Sequence, residues 1–248
     1  MIVLTAKEGR EKSVLQVPTG EKVVVFEQTV SPDTQIVLEK GASLVHWRLQ
    51  NRTDNVLTAS LAQESSYTLV TVKLGAGKTQ IDASLNGEAA FWKSDIIYVA
   101  KNTDVARICT NVSHNADKTV SSQLIKGAAY DKAQASFEGG VLIPYGQKGV
   151  DGSQQHRALL LSDDAEVSAV PKLEIYSDDV KCAHGSAVGS LDESQLYYCM
   201  TRGLDERQAA ALLTQGFLNE ILYGVEDETV RKELGTALSA FAGFENDV

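Results

Sequence analysis

The chain has 248 residues, 43% of them apolar, enough for one large buried core or two modest ones. Its formal net charge is −10, and Lys and Arg are scattered, which argues against nucleic acid or an anionic membrane surface as a partner. Three cysteines are too few for a disulfide framework, no apolar run approaches the ~20 residues of a membrane helix, and MIVLTAKEGREK lacks the pattern of a secretory signal, so the expected compartment is the reducing cytoplasm.

From residue 1 to about 180 the signal is almost all strand. Apolar and β-branched runs recur at Met1–Thr5, Val23–Val30, Gln35–Leu38, Leu44–Leu49, Val56–Ala62, Tyr67–Lys73, Gln80–Leu85, Asp95–Ala100 and Val105–Asn111. Turn residues separate them, among them Gly41, Asn51–Arg52, Gly75–Gly77, Asn86–Gly87 and Gly139–Gly140. Two architectures fit this spacing: a sandwich or jelly roll, and a parallel β-helix with roughly ~20–25 residues per turn. Only Asn86–Gly87 offers a two-residue hairpin signal, which favours the coil.

Gly77-Lys78-Thr79 resembles the end of a phosphate-binding loop. That loop needs an earlier glycine at position 72 and a helix after it. Position 72 is Val72, and QIDASL (80–85) alternates like a strand. These three residues therefore read as a turn, with Lys78 facing solvent, and no nucleotide site is expected.

Past residue 190 the texture becomes helical. Asp192 and Gln195 begin a helix Glu193–Arg202 that Gly203 ends. Asp205 and Gln208 begin a second, from Glu206 to about Tyr223, with Leu213, Phe217 and Ile221 four apart. A third, about Asp227–Phe241, places Val230, Leu234, Ala237, Leu238 and Phe241 on one face. The expected division is a β core over 1–189 and a helical subdomain over 190–248. So short a tail must pack on the β body or on a partner.

Candidate chemistry is sparse. The four histidines, His46, His114, His156 and His184, show no metalloprotease spacing. Cys182-Ala183-His184 is the one close Cys/His pair. On an extended strand the two side chains point to one side and could share a soft metal or cluster, or could simply be a packed thiol and a hydrogen-bonded imidazole. Cys109 and Cys199 read as packing residues. Asp163–Asp164 and Asp178–Asp179 read as solvated turns, and no enzyme motif stands out.

The stretch from Leu159 onward carries a resemblance. Leu159–Ser162, Pro171 with Leu173-Glu174-Ile175, Asp179-Val180-Lys181, Cys182-Ala183-His184-Gly185, Val188-Gly189, Leu191-Asp192 and Arg202-Gly203 resemble the C-terminal core of the SufB/SufD family of iron–sulfur cluster assembly scaffolds. His114 and Lys126–Ile143 fit the same family. Cys-Ala-His-Gly followed by Ser186 looks like the SufD branch rather than the Cys-Glu-His-Glu of SufB-like chains.

The resemblance implies a right-handed parallel β-helix, a single-stranded solenoid, followed by a small helical segment. It implies a non-catalytic subunit that pairs with a SufB-like chain and docks SufC-like ATPases, with a homodimer as the alternative in isolation. Leu213, Phe217, Ile221 and Leu234 are then candidates for ATPase docking. His184 and Cys182 are candidates for handling iron or a cluster at the subunit interface. No tightly bound cofactor is expected, only transient iron or a transient cluster. A SufB-like homo-oligomeric scaffold is the main rival reading. A β-helix polysaccharide-active enzyme is a remote one, since it would need converging acids or bases. Many family members carry a helical N-terminal domain, whereas strand texture starts here at Met1, as expected of a shorter natural form or a truncated piece.

Overall fold

The structure, a computed structural model, describes residues 2–5 and 12–244. Met1 of the first expected strand and residues 245–248 of the expected helical tail lie outside the described residues. Among the described residues, fifteen strands form two parallel sheets. One sheet holds β1 (Ile2–Thr5), β3 (Lys22–Thr29), β5 (Ser43–Asn51), β7 (Ser66–Leu74), β9 (Phe91–Ala100), β11 (Val120–Ala129), β13 (Val150–Leu160) and β15 (Val180–Gly189). The other holds β2 (Lys12–Val17), β4 (Asp33–Leu38), β6 (Asn55–Leu61), β8 (Gly77–Leu85), β10 (Val105–His114), β12 (Gln134–Ile143) and β14 (Glu166–Ile175). Each strand crosses to the opposite sheet from the one before, so two strands and two corners make one turn of a parallel β-helix.

The turn lengthens along the chain. Lys22 pairs with Ser43, about 21 residues on, whereas Val120 pairs with Asp151, about 31 on. The sequence spacing of 20–25 residues therefore describes only the early turns. The strands grow with the turn, from six residues in β2 to eleven in β13.

Period-2 alternation decides what each strand buries. Leu57, Ala59 and Leu61 of β6 face Leu44, Tyr67, Leu69 and Trp92 of the other sheet in one continuous interior cluster. Full burial of such side chains contributes about 1.5–3 kcal/mol each. The same alternation corrects the reading of Cys109. Ile108 and Thr110 point inward and are buried, which puts Cys109 on the outer face, half-exposed between Gln80 and Glu138.

The interior also holds charge. The carboxylate of Glu27 accepts from Arg48 Nε at 2.8 Å and lies 3.3 Å from His46 Nε2. His46 Nδ1 lies 2.9 Å from the hydroxyl of Tyr67. Burial alone would raise the Glu27 carboxyl, but the Arg48 guanidinium and His46 hold it down to about 2.

Gly77-Lys78-Thr79 opens β8. Gly75 and Gly77 take φ of 78° and 107° at the corner, and a Cβ on Gly77 would stand 2.7 Å from the carbonyl oxygen of Thr53. Lys78 is exposed, its N–H donating to the Asp54 carboxylate at 2.7 Å. The hydroxyl of buried Thr79 donates to Gln50 at 2.8 Å.

The β section ends at Gly189, and helices α1 (Glu193–Thr201), α2 (Glu206–Leu222) and α3 (Glu228–Ala242) follow. Each begins at an aspartate whose carboxylate accepts from first-turn N–H groups: Asp192, Asp205 and Asp227. Asp205 and Gln208 form the reciprocal capping box.

α2 and α3 lie on the outer face of the sheet built from odd-numbered strands. Leu218, Ile221, Leu222, Leu234 and Leu238 pack there against Trp47, Val72, Ile97 and Val99. Polar tethers fix them. The ammonium of Lys126, buried on β11, donates to the carbonyl of Phe217 at 2.8 Å and pairs with Glu220. Lys101 donates to the carbonyl of Ala242 at the end of α3.

This packing corrects two docking candidates. Ile221 and Leu234 are 2% and 0% exposed, so the coil itself occupies the surface they were expected to offer. Phe217 is partly buried in the same cluster, and Leu213 is half-buried. The exposed apolar side chains of the helices are instead Tyr197, Tyr198 and Met200 on α1 and Leu212 on α2. α1 buries none of its residues, so Cys199 is not a core residue.

Candidate functional site at the open end of the coil

The coil stops at an open rung. Among the described residues β15 pairs only with β13, and β14 only with β12, so each leaves one row of main-chain N–H and C=O groups unpaired at the sheet edge. Exposed apolar side chains gather on these last rungs: Leu142, Tyr145, Val170, Ile175, Tyr176 and Val188. The rings of Tyr145 and Tyr176 stand 5.2 Å apart. Unpaired edges beside apolar side chains suit pairing with another chain.

Cys182 and His184 lie on this rung. Register pairs Cys182 with Gly152, His184 with Gln154 and Ser186 with His156, all in the inward column of the sheet. Two residues apart on an extended strand, the Cα atoms of Cys182 and His184 stand about 6.6 Å from each other, and their side chains leave the same face. Cys182 is half-buried against Gly152, where a Cβ would meet its Sγ at 3.1 Å. Burial pushes the thiol up from its ordinary value and nearby Asp151 adds to this, while a hydrogen bond from the Gly152 main chain pulls it down. His184 is exposed.

Behind the rung sits a hydrogen-bonded chain that motif reading missed. His156 is buried, stacked on Phe137 with ring centroids 4.9 Å apart. Its Nε2 lies 3.0 Å from the Tyr98 hydroxyl and its Nδ1 3.4 Å from the Ser186 hydroxyl. Burial lowers its pKa to about 4, so the ring is neutral near pH 7. The signal available was the 30-residue spacing of His156 and Ser186, one turn of the coil at this end.

The remaining expected residues do not join this group. His114 is enclosed by the hydroxyls of Thr119 and Ser121 at 2.8 and 2.9 Å, and burial lowers its pKa to about 4. Asp163, Asp164, Asp178 and Asp179 are exposed at corners, where Asp179 accepts from the Gly149 N–H. Among the described residues, no three or more His, Cys, Asp or Glu side chains converge as a metal site. Cys182 and His184 together offer at most two of the four ligands that a tetrahedral metal site needs. Their soft thiolate and borderline imidazole suit iron, and the other ligands would have to come from beyond this chain or from sulfide.

Residues 2–217 match the family model described as SUF system FeS cluster assembly, SufBD core domain. The iron-sulfur cluster assembly protein SufD of Escherichia coli (strain K12) is 32% identical over 150 residues, covering 60% of this chain and 36% of that protein. Protein ABCI7, chloroplastic, of Arabidopsis thaliana is 27% identical over 242 residues, 94% of this chain and 50% of its own length. SufD of Bacillus subtilis (strain 168) is 26% identical over 209 residues, 81% and 48% respectively. The chain thus spans between about a third and a half of these relatives.

Proposed function

The chain belongs to the SufB/SufD family and is most like SufD, and from that membership we propose that it is a scaffold subunit for iron–sulfur cluster assembly. In this reading it catalyses no reaction of its own and holds no resident cofactor. Its open rung pairs with a SufB-like chain, and iron or a nascent cluster is transient cargo at that junction. The observation that carries this is the position of Cys182 and His184: neighbours on one face, at the last strand, beside unpaired sheet edges and exposed apolar side chains.

Cys182 supplies a thiolate once its proton is lost, and His184 supplies a ring nitrogen. Two ligands alone hold iron weakly, which suits cargo that must leave. SufC-like ATPases would dock on the helices, where Tyr197, Tyr198 and Met200 offer apolar surface. Tethered through Lys126, α2 can pass a push on the helices to β11 and the rungs beyond it. Among the described residues no helix is long and apolar enough to cross a membrane.

The test is anaerobic supply of ferrous iron and sulfide to the chain co-purified with a SufB-like partner. His184→Ala and Cys182→Ser should each lower the iron retained by the pair while leaving the pair intact. Unchanged iron in both variants would remove the role assigned to this rung. A cluster held by this chain alone, and lost in Cys182→Ser, would favour the SufB-like homo-oligomeric reading instead.

A further inference from the structure

The interior of the last rungs carries polar groups that the proposed function leaves unused. Ser94, Gln123 and Gln154 follow one another in the inward column of β9, β11 and β13, where register pairs Ser94 with Gln123 and Gln123 with Gln154. On the facing sheet, Thr110 of β10 pairs with Gly139 of β12. These four polar residues are 0–2% exposed. Six of their side-chain atoms, Ser94 Oγ, Thr110 Oγ1 and both amide atoms of Gln123 and of Gln154, have no hydrogen-bond partner among the described residues.

The Gln154 amide reaches across the coil to the facing sheet, for a Cβ at Gly139 would stand 2.4 Å from its Nε2 and 2.5 Å from its Oε1. Glycine at 139 makes the room, and the Thr110 hydroxyl is one rung back on that same sheet. A buried amide or hydroxyl left without a partner costs about 1–3 kcal/mol. Six together would consume most of the ~5–15 kcal/mol that holds a domain folded. A lining this polar would offer a bridging water the two to four partners it needs. The next member of the column is His184, paired in register with Gln154 and exposed at the open end.

We propose that Ser94, Thr110, Gln123 and Gln154 enclose an internal chain of water molecules that ends at His184, and that Gln154 is a positioning residue for the His184 ring. The terminal water hydrogen-bonds one ring nitrogen and so leaves the other directed at the subunit junction. For an imidazole that takes a metal, this choice decides which nitrogen is offered. The consequence for iron rests on the function proposed above. The water chain and the ring orientation do not.

The experiment uses the full chain without metal. A high-resolution crystal structure of the wild type should show ordered water bonded to the Gln123 and Gln154 amides. Nitrogen-15 spectra of the His184 ring, taken at a pH where it is neutral, should show one preferred tautomer, and Gln154→Leu should abolish that preference. Gln123 and Gln154 amides bonded to each other with no water between them would overturn the chain of water. An unchanged His184 tautomer in Gln154→Leu would overturn the positioning role. If Gln154→Leu does not fold, Thr110→Val takes its place in the tautomer measurement. Neither readout involves iron, so loss of the cluster reading and loss of this one are distinguishable.

Discussion

Cys182 lies directly over Gly152, close enough that a single methyl group on the glycine would stand 3.1 Å from the sulfur. The neighbours on the other sides, Ser121 Oγ and Val141 Cγ1, would both be at an ordinary 3.6 Å. Gly152→Ala should therefore press on Cys182 alone, moving Sγ by a few tenths of an ångström toward the open end. The stability cost should be about 1 kcal/mol. The check is the rate at which Cys182 reacts with a thiol reagent, in a background where Cys109 and Cys199 are serine. The rate should rise several-fold in Gly152→Ala. An unchanged rate would mean that Gly152 does not seat the thiol.

The helices separate packing from docking. Leu234→Ala should destabilise the chain by about 2–4 kcal/mol, because Leu234 is buried in the cluster between α3 and the sheet. Tyr197→Ala should change stability by less than about 0.5 kcal/mol, since Tyr197 is 70% exposed. Urea unfolding measures both. In a pull-down with a SufC-like ATPase the order should reverse: Tyr197→Ala paired with Tyr198→Ala weakens capture, and Leu234→Ala tested below its unfolding transition does not. Full capture by the tyrosine double variant would remove α1 from the docking surface.

Acid should weaken the fold through its buried histidines. His114 and His156 both have pKa values lowered from 6.5 to about 4 by burial. Between those values the unfolded chain binds protons that the folded chain does not, so stability is greatest above about pH 6.5 and falls as pH drops toward 4. Each histidine contributes on the order of 3 kcal/mol to that fall. Urea midpoints measured from pH 7.5 to 4.5 should decline, and His114→Gln should flatten the slope, leaving the shares of His156 and of His46, whose pKa burial also lowers. Glu27, held at about 2, adds its own loss only at lower pH.

Much of this fold is legible from residues alone. Alternating Thr68, Val70 and Val72 against Leu69, Thr71 and Lys73 announces a strand, and Val72 in place of a glycine excludes a phosphate loop. Three aspartates mark three helix starts. What local pattern could not carry is register over a whole turn. Asn86–Gly87 carries a hairpin signal and is a corner between parallel strands, where Asn86 donates to Ser60 and accepts from Asn115 one turn on. Cys109 reads as core because a one-residue slip exchanges the faces of a strand. Ile221 and Leu234 read as a docking face because a helix pattern shows which side is apolar, not what covers it. The Cys182–His184 pair was visible from its spacing, while the residues behind it, Gly152, Gln154 and His156, lie a full turn away in sequence.

The open rung is proposed as the junction of an assembly in which this chain is one subunit. Native mass spectrometry after anaerobic co-expression with a SufB-like chain and a SufC-like ATPase tests it most directly. The expected spectrum shows this chain bound to both partners, carrying iron that His184→Ala loses without dispersing the complex. A chain that appears only by itself, free of both partners and of iron, would contradict the account.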